Sequence, residues 1–459
     1  CISCHDPHIR DTSNENIKFL RLNRLQKSTP DGSDNFFAGT GTGNNGDIIC
    51  LACHTKAGWE NSAHAQPGVA NETYTNAAAD IREFPRGTAV WETACLSCHD
   101  THTVSGSRRL LRAGTDAGTF SSSSGYRIKV GGGDPAIEAT CFACHGPSAG
   151  TLNGQGGANF EVPHVQTDIT QSRRMTITNA QQGNNTEVHD IGTVNTPGAG
   201  ADMLESPNLL GANGNFQNRH VECTDCHNPH RVVKRRSFTQ HNGNGSDNEG
   251  THNHSAPHTN IASGVLRGTW GVEPLYVSES FHISPSGFNV KKGDPGGSTS
   301  TAVSSTYVTR EYQVCFKCHS NYSFGPNYDD PPQLGASTPS GTNQMTRYTN
   351  IAREFQPPSG HRGFGGGRGV NGGAWYGVNN HRAWHPVMRD TGRDQSVRYA
   401  PPQNWLNPFQ NLGSQTMYCS DCHGTNTAQN TVVPTGGVNG KPWGPHGSAN
   451  NFILKGPWS

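Results

Sequence analysis

The chain has 459 residues, of which only 31% are hydrophobic and 15% charged, with 57 Gly and 28 Pro. So little aliphatic side chain cannot offset the entropy of ordering a backbone of this length through ordinary core packing. A formal net charge of +0 gives no electrostatic reason for a nucleic-acid partner. No run approaches the roughly 18 apolar residues that a spanning helix requires, so no membrane span is expected. No signal peptide is visible, and the opening on Cys1 reads as a mature, processed chain.

What speaks against disorder is the placement of the 14 Cys. In chain order they form Cys1-Ile-Ser-Cys4-His5, Cys50-Leu-Ala-Cys53-His54, Cys95-Leu-Ser-Cys98-His99 and Cys141-Phe-Ala-Cys144-His145. Then come Cys223-Thr-Asp-Cys226-His227, Cys315-Phe-Lys-Cys318-His319 and Cys419-Ser-Asp-Cys422-His423. Two thiols on one short turn can add to the two vinyl groups of a haem, and the following His then lies beneath the iron as proximal ligand. A lone Cys-x-x-Cys also serves as a redox pair or half a zinc site, but zinc does not require His directly after the second Cys in every copy. The motifs therefore predict seven covalently bound haem c groups.

The first four motifs crowd the first third of the chain and the other three are spread over the rest. We expect an N-terminal four-haem segment over 1–150, a fifth-haem segment with long loops over 151–310, and a C-terminal two-haem segment over 311–459. Together they form one continuous unit organised by its haems. The predicted fold is mostly irregular coil, with short helices and few short strands, wrapped around a continuous haem chain that replaces the aliphatic core. Short helices are expected at the motifs, for example 136–145 after Asp134-Pro135, and a strand or hairpin arm over 301–314. The Gly- and Asn-rich stretches 242–250 and 360–377 read as ordered surface loops. Asp31-Gly-Ser-Asp34-Asn35 and Asn244-Gly-Ser-Asp247 read as turns rather than calcium loops, since neither fits the EF-hand pattern.

Each haem needs a second axial ligand. With 23 His and only 5 Met, bis-His ligation fits all seven and leaves no open position for substrate. Three motifs continue to a further His, adding His8, His102 and His230. Treated as a helical turn, residues three apart share a face, so the second His belongs to a different haem, the alternatives being a hydrogen bond to a propionate or a surface position. His64, His385 and His446, beside aromatic residues or Pro, are further distal candidates. His164, His189, His220 and His361 compete for the remaining iron. The tract His252-Asn-His254-Ser-Ala-Pro-His258 reads as solvated loop histidine, and Met175 as packing. The basic run 231–236 reads equally as a propionate partner and as a solvated face.

At Cys223-Thr-Asp-Cys-His-Asn-Pro-His230, Cys315-Phe-Lys-Cys-His and Met417-Tyr-Cys-Ser-Asp-Cys-His-Gly424, and with Gly444-Pro-His-Gly-Ser448, the chain resembles the multihaem cytochromes of metal-reducing bacteria. These include outer-surface cytochromes that polymerise into filaments. The resemblance implies export to the cell surface, with the periplasm as the alternative location. It also implies long-range electron transfer to minerals, electrodes or other redox proteins. In filament members a His shortly after the first motif ligates a haem of the next subunit. His8 holds that position, so a head-to-tail homopolymer is expected, docked on the haems of Cys315 or Cys419, the alternative being that His8 ligates the second haem of its own chain. A monomeric electron carrier is the alternative. A multihaem oxidoreductase is disfavoured, because neither a variant motif with Lys in place of His nor a scarcity of distal His marks an open iron.

Overall fold

The computed structural model describes residues 1–8, 18–31, 46–102, 104, 107, 109–115, 119–123, 126–147, 150–157, 160–169, 187–189, 221–240, 252, 259–277, 283–324, 350–357, 385–390, 409–410, 415–425, 444–450 and 453–456. Most of these residues are coil, with short helices and three two-stranded sheets between them. The longest described helix runs Ala136–His145. Asp134-Pro135 precedes it, Glu138 stands in its first turn, and neither Gly nor Pro interrupts it, the composition expected of a helix start and interior. It stops at Gly146, where a Cβ would lie 2.6 Å from the Phe142 carbonyl oxygen. No helix among the described residues is long and apolar enough to cross a membrane.

The sheets are local ties. Strands β1 (Thr119–Ser123) and β2 (Tyr126–Gly131) form one hairpin. Strand β3 (Glu187–Val188) pairs with β6 (Gly447–Ser448), and β4 (Gly271–Leu275) with β5 (Gly287–Lys291). The stretch 301–314 is not a strand. Residues up to Arg310 turn, and Glu311–Phe316 is a helix. The Gln313 side chain decides this by accepting from the Thr309 and Arg310 amides at 2.9 and 3.1 Å. That local bond caps the helix start and outweighs the β propensity of the preceding residues. Of the two turn candidates only Asp31 is described, its amide 3.4 Å from the Asp47 carboxylate; Asp34, Asn35, 242–250 and 360–377 lie outside the described residues.

Apolar packing is divided into small clusters, and most border a motif cysteine. Tyr74, Phe84 and Leu152 pack beside Cys144. Ile48 and Trp59 pack beside Cys50 and Cys95, Phe238 and Val308 beside Cys226, and Tyr312 and Phe316 beside Cys315 and Cys419. The three segments of the chain interlock. Ala63 donates to the Val232 carbonyl at 2.7 Å, and Tyr418 Oη donates to Ile261 O at 3.0 Å.

One buried ion pair ties down the chain after the fifth motif. The Arg267 side chain is 0% exposed and meets Asp294 through Nε at 3.1 Å and Nη2 at 3.0 Å. Its remaining donors reach Phe238 O at 3.0 Å and Gly296 O at 3.1 Å. Asp294→Ala leaves that guanidinium uncompensated, and a loss of about 3–5 kcal/mol is expected. Denaturant unfolding should show a lower midpoint at unchanged slope.

Candidate haem-binding site

Each Cys-x-x-Cys-His motif closes a single turn. The His amide donates to the first Cys carbonyl at 2.8 Å in the first motif, 2.9 Å at His54, His99, His227 and His319, and 3.0 Å at His423; the fourth motif ends the helix Ala136–His145. No disulfide joins any of the 14 Cys. Burial and neighbouring cysteines push the Cys98 thiol up to about 12, and burial pushes Cys144 and Cys226 up to about 11. Reactive dithiols need the opposite shift, which among the motif cysteines is found at Cys50 and Cys141, through the neighbouring Cys95 and Cys223 of other motifs. No group of three or more His, Cys, Asp or Glu comes together around a point among the described residues, as a zinc site requires.

The histidines instead come together in twos. His5 faces His102 with ring centroids 6.1 Å apart, and His64 faces His145 at 6.3 Å. His99 faces His230, His189 faces His319 and His227 faces His446, each at 6.2 Å. The interplanar angles of these five pairs run from 8° to 83°. Ring packing would tie separation to angle, whereas here the separation is constant and the angle free. Two imidazoles on opposite sides of one metal, with bonds of about 2.0 Å each, put ring centres about 6 Å apart at any rotation. A porphyrin supplies the other four ligands, so two protein ligands suffice.

Ring orientation comes from backbone carbonyls. Nδ1 of His5 donates to Lys18 O at 2.8 Å, His99 to Arg109 O at 2.7 Å, His145 to Pro163 O at 2.7 Å and His227 to Val265 O at 2.8 Å. His64 donates to Pro229 O at 2.9 Å, and His189 to Pro445 O. Each pair thus contains at least one ring whose Nδ1 is used, which leaves Nε2 as the lone-pair nitrogen for a metal.

The second His of the extended motifs is not on a helical turn. The helical turn Cys223–Cys226 ends before His227, which is extended at φ −122°, ψ 137°. The next side chain makes an Asx turn instead: Asp6, Asp100 and Asn228 accept from the amides of His8, His102 and His230 at 3.0, 3.0 and 3.1 Å. His102 and His230 are thereby directed to the His of other motifs. His8 carries the same turn but is exposed, its side chain 91% accessible and its Nδ1 3.1 Å from Asp6 Oδ1. His385 is also exposed, beside buried Pro386 and Val387. Among the described residues no ring stands opposite His8, His54, His164 or His385 at the paired distance. His220, His254, His258, His361 and Met175 lie outside the described residues.

His252 is not a solvated loop residue. It is 1% exposed, with its ring 4.4 Å from that of Tyr418 and Nε2 2.8 Å from Ser420 Oγ inside the seventh motif. In the basic run, Arg231 donates to Ala57 O at 2.9 Å and Lys234 pairs with Glu161 at 3.2 Å, so both are bound to the chain itself. Successive motifs also neighbour one another. Cys50 and Cys95 border one apolar cluster and Cys315 and Cys419 another, and Cys141 and Cys223 are close enough for each to shift the other's thiol.

Burial holds His145 and His230 down at about 4 and His446 at about 3, against an ordinary 6.5, with neighbouring His adding to each shift. Such rings stay neutral when folded, while the unfolded chain accepts a proton below 6.5. The unfolded state therefore binds more protons as pH falls from about 6.5 toward 4 and 3, and stability drops across that window. Denaturant midpoints measured from pH 7 to pH 4 should decline steadily, and His446→Gln should flatten the decline.

No family model, curated protein or solved structure matches the chain.

Proposed function

We propose that the chain is a seven-haem c-type cytochrome for long-range extracellular electron transfer, working as a subunit of a polymeric filament and not as an enzyme. The observation that carries this reading is the recurrence of five imidazole pairs at 6.1–6.3 Å beside Cys-x-x-Cys-His turns. Haem, when bound, supplies reversible one-electron chemistry. The two Cys of each motif would attach it through thioethers, and the paired imidazoles would supply its protein ligands. Two His on one iron, as each of the five pairs would provide, would leave no position there for a substrate. Shared apolar clusters place the second motif beside the third and the sixth beside the seventh, so neighbouring attachment sites would lie side by side, as transfer along a file requires.

The filament reading rests on the N-terminal face. The His8 side chain is 91% accessible, and its imidazole projects with an Asx turn like those of His102 and His230. An exposed imidazole of this kind can reach a haem of a neighbouring chain. A head-to-tail joint through His8 onto a C-terminal motif of the neighbour repeats without closing. The electron acceptors we propose are minerals, electrodes and other redox proteins outside the cell.

Intact mass of the denatured protein should equal the chain plus seven haems, since thioether bonds survive unfolding; six or fewer would remove at least one motif from the assignment. His102→Ala should uncover the iron held by His5, and His446→Ala that held by His227. Each variant should gain one carbon monoxide-binding haem in the reduced protein. Unchanged spectra in both would discard the pairings.

His8→Ala should give monomers with seven haems in electron micrographs where the parent chain gives filaments. Normal filaments from the variant would rule out the His8 joint, and monomers from the parent chain would favour a monomeric periplasmic carrier.

A further inference from the structure

A second segment of chain braces three of the seven motifs in the same way. Isolated bridges join His5 to Leu20, His99 to Leu111 and His423 to Leu454. The backbone bonds repeat on one side: Asp6 N to Phe19 O at 2.7 Å, Asp100 N to Leu110 O at 2.9 Å, and Gly424 N to Ile453 O at 2.8 Å. They repeat on the other side too, from Arg21 N to Cys4 O, Arg112 N to Cys98 O and Lys455 N to Cys422 O, at 2.9, 2.8 and 3.0 Å. The residue before each bridging Leu is left-handed: Phe19 at φ 56°, Leu110 at 55° and Ile453 at 55°. A side chain with a Cβ pays about 1–2 kcal/mol for that conformation, and a β-branched one is a clear outlier. Strain repeated at three equivalent places is held by the surrounding contacts and marks a functional constraint.

Two features of this segment point at the proximal His. In the first and third motifs its backbone carbonyl takes the ring proton, Lys18 O from His5 and Arg109 O from His99. The basic residue after the bridging Leu then grips the motif. Arg21 Nε donates to Ile2 O at 2.9 Å, with Nη2 3.5 Å from Asp6. Arg112 Nε donates to Leu96 O at 3.0 Å, Nη1 to Asp100 at 3.2 Å and Nη2 to His99 O at 3.3 Å. Both Nε bonds end on the same position, the residue after the first Cys. In the seventh motif Lys455 stands in this place, 7% exposed, its Nζ without a hydrogen bond among the described residues.

We propose that this return segment is a latch, and that Arg21 and Arg112 are positioning residues that set the orientation and the Nδ1 bond of the proximal imidazole. This rests on the haem reading above. A firm Nδ1–H bond to a carbonyl makes an imidazole a stronger donor and favours ferric iron. Loosening the grip lets the Arg109 carbonyl drift from His99, so the iron that His99 holds becomes easier to reduce.

The test compares the parent chain with Arg112→Lys, Arg112→Met and a control, Arg86→Lys, whose ion pair with Asp80 lies on the surface. Arg112→Lys keeps the charge but cannot reach three acceptors at once. With seven haems still present by mass, one component of the low-spin electron paramagnetic resonance spectrum should shift in Arg112→Lys. One reduction step should also move to a potential higher by about tenfold in equilibrium constant, about 59 mV. Arg112→Met should disturb the same spectral component, and Arg86→Lys none. Should Arg112→Met not mature, the charge-conserving variant carries the test alone. Wild-type spectra and titration from Arg112→Lys, with seven haems attached, would overturn the latch; an absence of haem in the parent chain would instead defeat the haem assignment.

Discussion

The bond between an imidazole Nδ1–H and a backbone carbonyl is the constraint on which the rest of this structure depends. It fixes the tautomer, presents Nε2 on the far side and prevents the ring from turning. In this chain the carbonyls come from segments far along the sequence: Pro229 for His64, Pro445 for His189, Val265 for His227. Orienting one ring therefore closes a long loop. An iron bound between two such rings would add a second, stronger closure at the same place. A chain with few aliphatic residues can compensate in this way for the entropy that a conventional core would offset.

The pairing crosses motif boundaries. His102 follows the third motif and faces His5 of the first; His230 follows the fifth and faces His99 of the third. The third and fifth motifs thus each contribute to two ring pairs, one through the first His and one through the second. The Asx turns at Asp100 and Asn228 are the local device that makes this geometry available. His8 has the same turn and an exposed ring, which is why its proposed counterpart lies in another subunit.

Buried polar side chains connect the last three motifs alongside the apolar clusters. Lys317 of the sixth motif donates to the Asp225 carbonyl of the fifth and lies 4.7 Å over the Trp270 ring. Glu311, on the helix carrying Cys315, accepts from the Ser420 amide at 2.9 Å and from its hydroxyl at 2.5 Å. His252 then closes on the same hydroxyl. Buried polar groups are costly unless satisfied and specific when they are. Here they set the order in which motifs five, six and seven lie against one another.

The seven single-turn motifs were legible in the sequence, because Cys-x-x-Cys-His is local and five residues define it. The coil-rich architecture was legible too, from a 31% hydrophobic content, and so was the helix Ala136–His145, which local propensity governs. The strand expected over 301–314 failed because one Gln313 side chain captured two amides, a contact that averaged propensity does not register. Which His faces which was decided only in three dimensions, since the partners lie as far apart in sequence as His227 and His446. The latch was missed although a trace of it is written in the chain as Phe19-Leu20-Arg21, Leu110-Leu111-Arg112 and Ile453-Leu454-Lys455. Three residues at unequal distances from their motifs acquire meaning only once the folded backbone brings them back to the same His, because hydrogen-bond register is a property of the paired segments and not of either alone.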